Sequence, residues 1–161
     1  MILAFSQKLN NKPTYFVEQI NNCLFQNKII SIDEIDNYEL DLAQKFCYSL
    51  KDIDQCKLHT IRKDTSNRWK AGNDIHFCIN VRTKDQFQFA PIVKCVSTQK
   101  IEIKKHPNHN VFSIYIDGKY LEPDDTDLLA KNDGFDSTEA FFEYFNTNFT
   151  GKIIHWTNLK Y

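Results

Sequence analysis

Apolar and polar positions recur along the chain with two different periods, one helical and one strand-like. Ile2 to Phe5 is a short apolar run that predicts a strand, broken by Asn-Asn-Lys-Pro at 10–13. Thr14 then reads as a helix N-cap, followed by Tyr15, Phe16, Gln19, Ile20 and Cys23 at helical spacing. Ile32, Ile35, Leu42, Phe46 and Leu50 repeat at about three to four residues and predict a second helix over Ile32–Leu50. Asp33, Glu34 and Asp36 lie in its first turn, where carboxylates complement the helix dipole.

The texture changes at Lys57. Leu58 to Arg62 reads as a strand, and Asp64 to Gly72 as a polar connection carrying Arg68 and Trp69. Ile75 to Val81 is the strongest strand, rich in β-branched and aromatic residues. Strand-forming residues continue through Pro91–Lys104 and Val111–Ile116, where Asp117-Gly118 predicts a hairpin turn into Lys119-Tyr120-Leu121. Helical spacing returns after Pro123, runs through Leu128, Leu129 and Ala130, and ends at Asp133-Gly134. Asp136 and Ser137 can cap a last helix with Phe141, Phe142 and Phe145 on its apolar face. Gly151 is expected to stop that helix before a final strand, Lys152 to Trp156, whose indole belongs to the core. Strands joined by short turns imply antiparallel pairing, so the pattern predicts one α+β domain over 1–161: a small curved sheet or barrel with flanking helices.

Composition narrows the class. The chain has 161 residues, 42% hydrophobic and 14% aromatic, a globular mixture that excludes disordered and collagen-like structure. Its longest apolar runs are too short for a membrane-spanning helix, and its first residues lack the basic start and apolar stretch of a secretion signal. Five cysteines at wide spacings form no Cys-x-x-Cys pair, so reduced thiols in a cytoplasmic protein are expected, with neither a disulfide framework nor a zinc knuckle. No cofactor motif is present. The five histidines are dispersed, and His76, inside an apolar strand, is expected to pack rather than ligate a metal.

The net charge of −1 hides an uneven distribution. Lys57 to Lys70 holds five basic residues and one acid, a local charge of +4, whereas Asp117 to Glu143 holds nine acids and two lysines, a local charge of −7. The basic segment could receive an anion, although solvated surface lysines account for the same charge. Within it, Thr60 and Arg62 share a strand face and Lys57 stands at the strand entrance. A hydroxyl, an amine and a guanidinium suit a polar or anionic ligand, or acyl chemistry if the amine activates the hydroxyl. An exposed strand face with ordinary polar residues fits the same spacing. Trp69, between Arg68 and Lys70, suits base stacking if exposed, or closes one end of the sheet if buried.

Lys57, Thr60 and Arg62 also stand at the spacing of a Gly-x-Lys-x-x-x-x-Arg motif with Thr two residues before the Arg. This stretch resembles the ASCH family, small proteins with a PUA-like β-barrel. Phe5 to Lys8, the helix at Tyr15 to Ile20, Arg68 to Ile75 and Leu129 to Ser137 are similar to further family segments. The resemblance spans most of the chain except about 24–54, which reads as an added helical insertion. Two departures stand out: the family glycine falls at Gln55, and the acid of its amidohydrolase branch, a Glu, falls at Asp133. One methylene less moves the carboxyl by about an ångström.

The resemblance implies a cleft formed by Lys57, Thr60, Arg62 and Asp133 that binds RNA or a nucleoside-like ligand, with Arg68, Trp69 and Lys70 adding phosphate contacts and a stacking surface. It also implies an alternative, hydrolysis of an acylated nucleobase such as acetylcytidine. There Lys57 takes the proton of Thr60, Thr60 attacks the acyl carbon, Arg62 or backbone donors stabilise the oxyanion, and Asp133 acts as general acid. A third class, a protein-interaction adaptor using the 24–54 insertion, would leave the cleft without ligand.

Overall fold

The computed structural model describes residues 1–51, 53–107 and 111–161. Its elements begin with β1 (Ile2–Ala4), β2 (Lys8–Leu9), β3 (Lys12–Pro13), α1 (Phe16–Gln26), α2 (Ile32–Phe46), β4 (His59–Arg62) and β5 (Asp74–Ile79). They continue with β6 (Phe87–Gln88), β7 (Val93–Lys94), β8 (Ser97–Lys105), β9 (Phe112–Ile116) and β10 (Lys119–Tyr120). Last come α3 (Pro123–Asn132), α4 (Thr138–Tyr144) and β11 (Phe149–His155). These gather into two compact units, Met1–Lys57 with Asn73–Lys94, and Leu58–Gly72 with Cys95–Tyr161. The fold is α+β, and no sheet closes into a barrel among the described residues.

In the first unit β1 runs parallel to β5, and β6 and β7 pair antiparallel with β5. Phe5, Phe77 and Phe89 meet at ring separations near 6 Å and, with Ile20, Cys23 and Leu24 of α1, form its core. The cap of α1 falls at Tyr15, in the left-handed region at φ 53°, and not at Thr14. The Thr14 hydroxyl donates to the Ser6 carbonyl at 2.7 Å and also accepts from the Phe16 amide at 3.5 Å, so it lies beside the helix start, one residue before the cap. Ser31 and Glu34 form a capping box at the start of α2. That helix ends at Phe46, short of the expected Leu50, because Cys47 turns left-handed and closes the last turn onto the Ala43 carbonyl. Only Leu42 of α2 is buried. Residue 52, inside the expected 24–54 insertion, lies outside the described residues.

The second unit is a five-stranded antiparallel sheet in the order β10-β9-β8-β11-β4. Asp117 and Gly118 both have positive φ, 50° and 83°, as the two-residue β9–β10 turn requires. Ile61, Ile101, Ile103, Ile114, Ile116 and Ile153 are buried on this sheet, and Leu129, Phe141 and Phe145 add further apolar bulk from the helical segment. Phe142, expected in the core, is half-buried and stacks on Phe112 at 4.3 Å.

Gly151 does not stop a helix. Ser137 caps α4, which ends at Tyr144, and Gly151 lies inside β11 opposite Ile101. A Cβ there would stand 2.4 Å from the Arg62 carbonyl oxygen, so close backbone approach explains the glycine.

Candidate functional site

Strand β4 carries Thr60 and Arg62 at the edge of the second unit's sheet, paired antiparallel with β11 so that Arg62 faces Lys152 and Thr60 faces Ile154. An unpaired strand edge must find other partners for its backbone groups. Here the C-terminal end of α3 supplies them. The Leu58 amide donates to the Asn132 carbonyl at 2.8 Å, and the Ile61 amide donates to Asp133 Oδ1 at 3.3 Å. Asp133 is itself the C-cap residue of α3, ahead of Gly134 at φ 85°. The turn that sequence places here as a helix end therefore also brings a carboxylate onto the candidate strand.

Burial separates the expected site residues. Lys57 and Thr60 are 2% exposed and Asp133 is 3% exposed, whereas Arg68 and Lys70 are exposed. Arg62 is half-buried, and burial lowers its guanidinium pKa against the opposing influence of the Asp133 carboxylate. It lines a cavity of about 300 Å³ together with Ile61, Lys63, Tyr144, Phe145 and Phe149.

Trp69 corrects an expectation. Its ring is buried, so the exposed stacking surface sought beside Arg68 and Lys70 is absent. The cause lies 83 residues away in sequence: Lys152 of β11 donates to the Trp69 carbonyl at 2.6 Å. Lys152 also reaches Asp64, at 3.3 Å, and Asp64 accepts from the Arg68 and Trp69 amides at 3.0 and 2.9 Å. This clamp folds the 64–69 loop back onto the sheet. Burial alone would raise the Asp64 pKa, but the two amides and Lys152 outweigh it and hold it below the usual carboxylate value.

Three polar residues of the second unit went unrecognised in the sequence: His59, Asn132 and Tyr161. His59 Nε2 lies 2.7 Å from the Tyr161 hydroxyl, which also accepts from Asn132 Nδ2 at 2.9 Å. The other ring nitrogen, Nδ1, is 3.6 Å from Asp133 Oδ1, within ion-pair range but beyond a hydrogen bond. His59 and Asp133 are buried and Tyr161 is half-buried, so the three line up as a largely sheltered polar row behind the β4 edge. Burial raises the Tyr161 pKa, so the phenol stays protonated at neutral pH and serves as a hydrogen-bonding partner rather than a nucleophile. His155 packs against His59 at 5.4 Å with both ring nitrogens buried and unpartnered, and burial followed by the His59 charge depresses its pKa to about 3. Only tertiary packing brings these rings together, which is why no local motif announced them.

In the first unit, the Lys57 amide donates to the Gln19 carbonyl at 3.2 Å and its ammonium sits 4.5 Å from the centroid of the Phe16 ring. Cation–π contact of this kind is one of few ways to hold a lysine inside a protein. His76 is half-buried and its Nδ1 lies 3.0 Å from Gln88 Oε1. Among the described residues no group of three or more His, Cys, Asp or Glu side chains could hold a metal ion, and no helix is long and apolar enough to cross a membrane. In comparisons with known proteins, no family model, no curated protein and no solved structure matches this chain.

Proposed function

We propose that this chain is an ASCH-like domain of PUA-like type that binds a nucleoside-like ligand or RNA through Lys57, Thr60, Arg62 and Asp133. The observation that carries the reading is the burial of Lys57, Thr60 and Asp133, each at most 3% exposed although polar or charged. Ordinary strand-face residues remain solvated, and charged groups are withdrawn from water only where partners or function hold them. Arg62 beside Lys63 and Tyr144 supplies a fixed cationic fork next to an aromatic wall, suited to a phosphate or a planar polar ring. Removal of the Trp69 ring from the surface weakens the case for gripping an extended strand and favours a ligand of nucleoside size.

The same burial supports the hydrolytic alternative, because it holds the Lys57 and Thr60 side chains away from bulk water. In that reading Lys57 receives the Thr60 proton, Thr60 attacks the amide carbonyl of the acylated base, and Asp133 protonates the departing nitrogen. Arg62 stabilises the charge developing on the carbonyl oxygen.

One experiment separates the two. Acetylcytidine, cytidine and a short single-stranded RNA are each titrated against wild type, Lys57→Met, Thr60→Val and Arg62→Ala, with folding checked by circular dichroism and acetylcytidine turnover followed by chromatography. Binding is expected to fall by tenfold or more in Arg62→Ala. Turnover lost in Lys57→Met and Thr60→Val supports the enzyme. Equal affinity across all four folded proteins, with no turnover, overturns both readings.

A further inference from the structure

The first unit carries a second, unassigned cavity of about 390 Å³, a volume in the range of small-ligand pockets. Its walls include Tyr15, Phe16 and Tyr48, with Glu18 of α1 among them and Lys51 and Lys8 also lining it. Glu18 is 4% exposed, and the Tyr48 hydroxyl donates to its Oε1 at 2.6 Å. Its Oε2 is buried with no hydrogen-bond partner. A buried carboxylate oxygen left without a donor costs stability and is rarely retained without a use.

Of the residues lining this cavity, Glu18 is the one with a buried acceptor that lacks a donor, so the missing partner is a molecule that presents N–H groups. Charge decides which kind. Lys8 and Lys51 outnumber Glu18 around the cavity, which disfavours an alkylammonium or guanidinium cation. Lys51 is held in place, donating to the Tyr15 hydroxyl at 3.0 Å with its ammonium 4.8 Å from the centroid of that ring. Tyr15 adopts φ 53°, a backbone conformation that costs energy for an aromatic residue and clusters at ligand sites.

We propose that this cavity binds a neutral planar heterocycle presenting two adjacent N–H donors, the edge carried by guanine, with Glu18 as the acceptor and the tyrosines as flanking rings. A carboxylate matches a ring N–H and its neighbouring exocyclic amino group with two parallel hydrogen bonds. The site does not depend on the function proposed above. Glu18 lies in one unit and Thr60 in the other, so Glu18→Gln bears on this cavity and Thr60→Val on that reading alone.

Isothermal titration of the full chain with guanosine, inosine and a short single-stranded RNA containing one guanine tests it. Inosine keeps the ring N–H but lacks the amino group. Guanosine is expected to bind about tenfold or more tightly than inosine, and Glu18→Gln to erase that difference. If the RNA binds at least as tightly as guanosine and loses the same factor in Glu18→Gln, the base comes from a polymer; if guanosine alone binds, it is a free nucleoside. The guanosine-to-inosine ratio is read on wild type, so it stands whether or not the variant folds. Equal affinities for the two nucleosides, or no binding of guanosine or of the RNA at millimolar concentration, overturns the proposal.

Discussion

Replacing Gly151 by alanine should displace the strand that carries Arg62. The added Cβ would lie 2.4 Å from the Arg62 carbonyl oxygen and 2.6 and 2.7 Å from two atoms of the Phe149 ring. The ring is a side chain with some freedom to turn, although it packs on Phe145 at 4.9 Å. The carbonyl belongs to the backbone of β4, and relieving the contact to an ordinary separation of about 3.4 Å requires a shift of about 1 Å. A backbone hydrogen bond of about 2.9 Å stretched that far no longer counts as one. Overpacking costs about 1–3 kcal/mol and a lost ladder bond about 1 kcal/mol, so Gly151→Ala should destabilise the protein by about 2–4 kcal/mol. Urea unfolding followed by tryptophan emission measures this, since Trp69 and Trp156 are both buried in the same unit. Gly118→Ala is the control, because nothing lies within 4 Å of a Cβ there and only the positive φ of 83° opposes it; about 1 kcal/mol is expected. A Gly151→Ala midpoint within about 0.5 kcal/mol of wild type, with ligand affinity unchanged, would refute the claim that this glycine sets the position of Arg62.

Two further outcomes concern buried ionisable groups. Asp64→Ala removes the acceptor of two amides and the partner of Lys152, and should cost about 2–4 kcal/mol and shift Trp69 emission to the red. Because the folded pKa of Asp64 is depressed, its stabilisation is complete above the unfolded value of about 3.9 and is lost as pH falls through the lower folded value. An acid titration of tryptophan emission should therefore show this component below about pH 4 in wild type and not in Asp64→Asn. His155 is depressed to about 3, so it stays neutral in the folded protein while its unfolded form gains a proton below about pH 6.5. Stability should fall by up to about 1.4 kcal/mol per pH unit between those values, and His155→Phe should remove the slope without loss of stability at pH 8, since neither ring nitrogen has a partner to lose. An unaltered slope would show that another group titrates.

Most elements could be read from periodicity because their packing follows their own sequence. The Ser137 cap, the Asp117-Gly118 turn and the Asp133-Gly134 helix end are local devices, and all three occur where their residues predict. The errors arose where a distant segment decides. Gly151 has the residue type of a helix stop, yet its role is set by a carbonyl at position 62. Trp69 has cationic neighbours typical of an exposed ring, yet Lys152 and Asp64 tuck its loop onto the sheet. Of the candidate site, the motif spacing nominated Lys57, Thr60, Arg62 and Asp133, but did not show that Lys57, Thr60 and Asp133 would be withdrawn from water, nor that Asp133 would accept from the edge of β4. The His59–Tyr161 contact joins residues 102 apart, beyond the reach of any local pattern.

The pairing of β4 with β11 also sets a timetable for synthesis. Arg62 waits for Lys152, 90 positions later, before its strand gains its neighbour. At about 5–20 residues per second the ribosome needs some seconds to supply it. Until α3 is made, a segment with Leu58, Thr60 and Ile61 has neither flank hydrogen-bonded, a template for association with other nascent chains. The α3 turn that later covers one flank is also made before β11, so Asn132 and Asp133 can shield that side first. If that side closes first, the Asp133 carboxylate protects the strand before its neighbour exists, and replacing Asp133 should lower the yield of soluble protein even where the finished fold tolerates the change.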